Sequence, residues 1–190
     1  RKEIVQKIIE FKKFKKYLEI GTFKNDLFNY IECEKKIGVD PFSGGNVRKT
    51  SDEFFLDNQE KFDLIFIDGL HKYLQVKKDI QNSLGSLNND GLILMHDCFP
   101  RNYYYQAVPR CQIDWNGDTW KALVELRTKE DLDVYCLNAD EGIGVIFKRK
   151  NKNLLDLDIK NFTKLSYSEY SNNYQKYLNL IEYEDFLKIL

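Results

Sequence analysis

Short apolar runs that end abruptly in polar residues recur along the chain and alternate with segments of helical periodicity. The two strongest runs cover residues 62–68 and 92–95, and they contain almost no alternation of apolar and polar positions. Runs of this kind are typical of strands buried on both faces of a parallel sheet. Further strands are predicted at 16–21, 37–41, 132–137 and 144–148, with a weak one at 47–49.

Apolar residues three or four positions apart predict the helices between these strands. Thr50 followed by Glu53 resembles a capping box, and Asp118 is placed as the N-cap of a later helix. The predicted helices cover residues 3–14, 25–34, 50–58, 73–87 and 118–127, with a turn at 88–91. The regular alternation of strand and helix indicates an α/β fold with a doubly wound, mostly parallel sheet.

The composition changes after residue 150, where Asn, Lys, Tyr and Leu become frequent. Two helices are predicted there, at about 166–180 and 183–190. We therefore expect one domain over 1–150 and a helical C-terminal extension, 151–190, packed on it. Loops as long as the segment 99–117 are usually functional or disordered in compact domains, and its run of three tyrosines at 103–105 together with Trp115 favours an ordered cover.

Charge and cysteine content narrow the classes of function. The net charge is -1, from 29 basic and 30 acidic residues, whereas a dedicated nucleic-acid binder should be basic. No apolar run approaches the ~18 residues of a membrane helix. The four cysteines show no C-x-x-C spacing, which disfavours a zinc ribbon and is consistent with reduced thiols in the cytoplasm. We expect neither nucleic acid nor membrane as a partner, and the sequence leaves oligomerisation open.

Acidic and imidazole side chains follow the two strongest strands. Asp68 and His71 come after the first, and His96 and Asp97 come after the second. Ligands of open α/β sheets bind beyond the carboxyl ends of the strands, so these side chains are expected in one crevice. His71 could act as a general base near neutral pH, and Asp68, His96 and Asp97 could hold a divalent ion. The alternative is that the histidines only make structural hydrogen bonds.

A second candidate site follows the first two strands. Gly21 would let a ligand approach the backbone closely, and Glu19 and Asp40 stand 21 residues apart at two strand ends. An acid about 20 residues beyond such a glycine commonly holds ribose hydroxyls. The turn has one glycine, which favours a nucleoside over a pyrophosphate ligand. Alternatively, Glu19 and Asp40 only cap helices or bind lysines.

The segment 114–121 is a third candidate. Its two tryptophans, Trp115 and Trp120, together with Asn116 and Lys121, could grip a sugar or an aromatic acceptor. The alternative is that Trp120 belongs to the core and Asp118 is a helix cap.

Four motifs in order carry a family resemblance: YLEIG at 17–21, IGVDP at 37–41, DLIFIDGLH at 63–71 and GLILMHD at 91–97. The chain resembles the class I S-adenosylmethionine-dependent methyltransferases over residues 17–149. Within that family it is most similar to the branch of bacterial small-molecule and sugar O-methyltransferases.

The resemblance implies a seven-stranded sheet of order 3-2-1-4-5-7-6, with strand 7 antiparallel. It places Glu19 and Gly21 beside the methionine part of S-adenosylmethionine and Asp40 on the ribose. Ser51 and Asp52 would lie near the adenine. In metal-using relatives the residues matching Asp68, His96 and Asp97 hold magnesium, and the residue matching His71 is the base.

This chain departs from the family at two places. It has His96 where an acid is usual, and it lacks the second glycine of the cofactor loop.

The expected function is O-methyl transfer to a hydroxyl of a sugar or other small polar acceptor in bacterial carbohydrate biosynthesis. Asp68 belongs to this prediction both as a cofactor contact and as a partner of the base. One alternative is a non-catalytic binding module in glycan biosynthesis. Another is a glycosyltransferase, which would need a nucleotide-diphosphate site, although the chain has no phosphate-binding loop or Asp-x-Asp motif.

Overall fold

The apolar runs form a seven-stranded sheet, described for residues 1–190 in a computed structural model. The strand order is β2-β1-β3-β4-β6-β5-β7. The strands are β1 (Lys16–Ile20), β2 (Lys35–Val39), β3 (Phe62–Ile67), β4 (Leu87–Met95), β5 (Asp133–Leu137), β6 (Ile143–Phe147) and β7 (Leu180–Ile181). The helices are α1 (Lys2–Lys12), α2 (Ser51–Asp57), α3 (Tyr73–Gly85), α4 (Tyr103–Gln106), α5 (Trp120–Leu126), α6 (Tyr167–Leu178) and α7 (Tyr183–Leu187).

The predicted strand order is confirmed for six strands, including the antiparallel pairing of β5 with β6. The two edges differ from the prediction. Residues 47–49 contribute only an isolated bridge between Val39 and Val47, because a lone valine followed by Arg48 and Lys49 leaves little apolar surface to bury. The seventh strand is instead β7, from the C-terminal segment, which pairs in parallel with β5.

Two local predictions were wrong. Residues 25–34 form turns and not a helix, since Asn25 adopts a left-handed backbone and the Lys36 ammonium donates to the carbonyls of Phe28 and Ile31. The predicted turn at 88–91 is extended chain within β4. There the Asn88 amide donates to Asp63 at 2.6 Å, which gives its polar side chain a partner inside a sheet.

The first of two compact units comprises Arg1–Leu70 and Lys78–Leu94. In it, β1 pairs in parallel with β2 and with β3, and the apolar side chains of β1 and β3 are buried. Helix α1 buries its apolar face, and α2 begins with the predicted capping box between Thr50 and Glu53. This unit brings the ends of β1, β2 and β3 to one place.

The second unit comprises His71–Lys77 and Met95–Leu190, so the C-terminal segment shares its core. The ring of Trp120, fully buried, lies 4.3 Å from that of Tyr170. The buried guanidinium of Arg127 donates to the carbonyls of Asn153 and Lys176. The proposed boundary at residue 150 stays a prediction, but within this unit the segment 151–190 supplies a strand, ring contacts and hydrogen-bond acceptors.

No helix in the chain combines the length and the apolar character that a membrane span requires.

Candidate active site

Glu19 is a buried carboxyl group at the end of β1. Its side chain accepts a hydrogen bond from the hydroxyl of Tyr17 at 2.6 Å. Burial raises the pKa of Glu19 to about 7; the bond from Tyr17 opposes this rise, and the nearby charge of Asp68 adds to it. A buried acid with such a pKa gains most from a positively charged ligand.

Gly21 ends β1 with a φ of +86°, a conformation that favours glycine. A Cβ atom at this position would overlap the carbonyl oxygen of Asp68. The turn is further held by Gly21 N donating to Val39 O, and by Asp68 N donating to Ile20 O. A glycine is therefore needed here by the protein's own backbone after β3, and the close approach of a ligand to Gly21 stays a prediction.

Asp40 follows β2 and binds the backbone of two loops. One carboxylate oxygen accepts from Phe42 N and Ser43 N, both at 2.8 Å, and the other accepts from Phe23 N at 3.0 Å. Burial opposes ionisation, but these bonds outweigh it and lower the pKa of Asp40. Asp40 is thus an ionised acid with spare acceptor capacity on one oxygen, since a carboxylate offers about four lone-pair positions.

Two of the other residues predicted for the cofactor, Asp52 and Asp68, already have charged partners. Ser51 and Asp52 form the first turn of α2, and the Asp52 carboxylate pairs with Lys78 at 2.6 Å. Asp68 accepts from the Arg1 guanidinium at 3.1 Å. The adenine contact of Ser51 and Asp52 and the cofactor contact of Asp68 stay predictions.

In the second unit, His71 is held by two acceptors. Its Nδ1 atom lies 3.0 Å from a carboxylate oxygen of Asp97 and 3.2 Å from the carbonyl oxygen of Trp115. Because both neighbours are acceptors, Nδ1 carries the hydrogen, and Nε2 is the basic nitrogen of the neutral ring. The imidazole also stacks on the ring of Trp115, with centroids 5.5 Å apart.

Asp97 is buried and serves as the shared acceptor of this site. The oxygen that does not face His71 accepts from the Asn116 amide at 2.6 Å and lies 3.3 Å from His96 Nδ1. Burial acts to raise its pKa, but the hydrogen bonds from His71 and His96 outweigh burial and hold the pKa well below its usual range. Asp97 is therefore ionised and orients His71.

Two of the predicted metal ligands, His96 and Asp97, already contact other side chains. Asp97 faces the Asn116 amide and His71, and His96 lies between Asp97 and Asp140, with Nε2 3.5 Å from the Asp140 carboxylate. The hydrogen bond from His96 lowers the pKa of Asp140. Magnesium prefers oxygen ligands and His96 offers a nitrogen, so a metal site at Asp68, His96 and Asp97 stays a prediction.

In the segment 114–121, some residues have the structural roles given as the alternative, and others lie beside His71 and Asp97. Trp120 is a core residue, and Asp118 caps a different helix from the predicted one, since its carboxylate accepts from Tyr73 N at the start of α3. The N-cap of α5 is Thr119, without a side-chain bond. Trp115 and Asn116 contact His71 and Asp97; the sequence marked this segment but did not link it to them.

Comparisons with known proteins bear on this arrangement. Residues 38–98 match the family model of a methyltransferase domain. No curated protein matches the chain.

Solved structures match over most of the chain. A methyltransferase of Podospora anserina bound to S-adenosylhomocysteine is 17% identical, with a TM-score of 0.59 and 78% of each chain covered. An O-methyltransferase of Bacillus cereus bound to the same molecule is 13% identical, with a TM-score of 0.55, covering 76% of this chain and 79% of that one.

A third match is the O-methyltransferase of Streptomyces achromogenes involved in tomaymycin synthesis, in complex with S-adenosylmethionine. It is 10% identical, with a TM-score of 0.58, covering 78% of this chain and 79% of that one. At these identities the likeness establishes the fold. Residues 38–98 thus match a methyltransferase-domain model, and the chain has the fold of the class I S-adenosylmethionine-dependent methyltransferases, the family that its sequence resembles.

Proposed function

We propose that the chain is an S-adenosylmethionine-dependent O-methyltransferase in which His71 is the general base. The observation that carries this proposal is the pairing of His71 with the buried, ionised Asp97 at 3.0 Å. A neutral imidazole held by its Nδ1–H presents Nε2 as a proton acceptor, as in other carboxylate–imidazole pairs. The methyltransferase domain match over residues 38–98 supports the class of reaction.

The residues after β1 and β2 suit the cofactor. When bound, S-adenosylmethionine supplies a methyl group activated by a sulfonium. Its methionine part carries positive charge, which would compensate the buried carboxyl of Glu19, and its ribose hydroxyls can donate to the remaining acceptor position of Asp40. Ser51 and Asp52 are assigned to the adenine on the family resemblance.

The chemical work left to the protein is small, because the methyl group is already activated. The protein aligns the acceptor hydroxyl and removes its proton. His71 takes that proton at Nε2, and Asp97 stabilises the imidazolium that results. This proton transfer is assigned to the protein's own side chains, because the pair of His71 and Asp97 supplies the base.

For the acceptor we propose a sugar or another small polar hydroxyl compound. The support is the aromatic content of the segment 99–117, where Tyr103 and Tyr104 are exposed on α4 and could stack on a sugar face. The imidazole, amide and carboxylate groups around Asp97 suit a polar acceptor better than an apolar one.

The decisive experiment compares the wild type with His71→Ala, using S-adenosylmethionine labelled in its methyl group and a panel of monosaccharides and methyl glycosides. We expect His71→Ala to keep its affinity for the cofactor in calorimetric titration and to lose turnover by about 10²- to 10⁴-fold, the usual contribution of a general base. Asn138→Ala, an exposed amide that donates to Glu182, is the matched control. Undiminished turnover of His71→Ala would show that the base is wrongly assigned, and a wild type that does not bind the cofactor would favour the binding-module alternative.

A further inference from the structure

Asn116 is a buried amide, 2% exposed, on the segment that leads into α5. Its Nδ2 atom donates to Asp97 at 2.6 Å, whereas its Oδ1 atom is buried without a hydrogen-bond partner. The reverse orientation of the amide would place two oxygens against each other, so the orientation is fixed by chemistry. A buried amide oxygen without a partner is unfavourable, and such groups call for an explanation. In Asn116 the orientation that leaves Oδ1 without a partner is the one that lets Nδ2 donate to Asp97.

The backbone around Asn116 is tied down independently of that side chain. The amide N–H groups of Asn116 and Gly117 both donate to Tyr105 O, and the Thr119 hydroxyl donates to Asn116 O. Gly117 has a φ of +63°, and a Cβ atom there would overlap the carbonyl oxygen of His71. The segment 115–117 is therefore fitted closely against His71, and the Asn116 side chain is not needed to hold its own backbone.

We propose that Asn116 is a positioning residue for the base: its amide holds the carboxylate of Asp97 in hydrogen-bond contact with Nδ1 of His71. Asp97 lies between the two side chains, with one oxygen on Asn116 and the other on His71. A carboxylate held at both oxygens cannot rotate away from the imidazole. This proposal concerns the site of the proposed O-methyltransferase and rests on its assignment of His71 as the base.

The tautomer is measurable without any substrate. Long-range ¹H–¹⁵N spectra distinguish Nδ1–H from Nε2–H imidazoles, and the chain has only two histidines, so a His71→Gln variant assigns the signals. At a pH where the ring is neutral, we expect wild-type His71 to show the Nδ1–H pattern alone. An Nε2–H pattern in the wild type would overturn the proposal before any variant is made.

The variant test uses Asn116→Leu, which keeps the branched shape of the side chain and removes the donor, and Asn116→Ala as a second variant. We expect each to move the Nδ1 proton of His71 upfield, because its bond to Asp97 weakens while Trp115 O keeps the hydrogen on Nδ1, and to lose turnover by about 10- to 100-fold, as misplacement of a catalytic group does. Cofactor affinity and the unfolding temperature should stay close to wild type, and Asn138→Ala should change neither the Nδ1 proton shift nor turnover.

A purely structural role would lower the unfolding temperature and leave the Nδ1 proton shift of His71 unchanged, which would contradict the proposal. Failure of the proposed function is a separate outcome. If the wild type transfers no methyl group but the Nδ1 proton shift of His71 responds to the Asn116 variants, the positioning role stands and the assignment as an enzyme falls.

Discussion

Protonation of the Glu19 carboxyl group affects both the stability of the chain and its proposed affinity for the cofactor. Its pKa rises from the usual 4.5 to about 7, chiefly through burial. A carboxyl group whose pKa is raised on folding destabilises the folded state as the pH rises through the interval between the two values. The cost is complete above pH 7 and amounts to about 3 kcal/mol, since each pKa unit corresponds to about 1.4 kcal/mol.

We therefore expect Glu19→Gln to be as stable as the wild type near pH 4 and more stable by about 3 kcal/mol at pH 8. Denaturation by urea at both pH values measures the difference. Glu34→Gln, at an exposed carboxyl paired with Lys15, is the control and should change the stability little at either pH. Glu19→Gln should also bind S-adenosylmethionine more weakly than the wild type, because the neutral amide cannot compensate a cation. Equal stability of Glu19→Gln and wild type at pH 8 would contradict the buried-charge argument.

Sequence alone was sufficient to nominate His71 and Asp97, because each follows a strong apolar run at a strand end. It was not sufficient to identify their partners. Asn116 and Trp115 lie in an irregular segment more than forty residues from His71, and no periodicity indicates which side chain of that segment faces an imidazole. The hydrogen bonds from the backbone to Asp40 could not be predicted from the sequence either, since they depend on how two loops fold around one carboxylate.

At the scale of elements, α6 packs on α5 through two rings. Tyr170 is buried against Trp120, and its hydroxyl has no hydrogen-bond partner. The ring should stabilise the unit and the hydroxyl should not. We expect Tyr170→Ala to cost about 3–5 kcal/mol, as deletion of a large buried aromatic does, whereas Tyr170→Phe should be neutral or stabilising by about 1 kcal/mol.

Thermal and urea unfolding of the two variants test this pair. A Tyr170→Phe variant destabilised by more than 1 kcal/mol would mean that the hydroxyl has a partner in solution, such as a bound water. A small effect of Tyr170→Ala would mean that α6 contributes little to the core of this unit.

Elements with strong periodicity were predicted well, and elements with mixed signals were not. Strands β1, β3, β5 and β6 match their apolar runs, because burial on both faces leaves no ambiguity. The segment 25–34 carries buried Leu27, Phe28 and Ile31 at helical spacing, and tight turns bury the same side chains. The polar residues 88–91 read as a turn, yet a cross-strand bond from Asn88 to Asp63 keeps them extended.

At the scale of the whole molecule, strand order followed from the family resemblance, whereas the source of the last strand did not. A two-residue strand such as β7 has too few positions to show alternation, so no pattern could mark it. Its position beside β5 adds two residues of the predicted C-terminal extension, Leu180 and Ile181, to the sheet.

Removal of residues 151–190 is therefore expected to unfold the second unit and not merely to shorten the chain. The deletion would uncover Trp120 and would leave the guanidinium of Arg127 without the carbonyls of Asn153 and Lys176. Loss of partners for a buried charge typically costs about 3–5 kcal/mol, which is comparable to the whole stability of a small domain. We expect the 1–150 chain to lack a cooperative unfolding transition in calorimetry, and co-expression with the separate 151–190 segment should restore it. If the 1–150 chain unfolds cooperatively within about 1 kcal/mol of the full chain, the segment is an appendage and Arg127 finds water in place of its carbonyls.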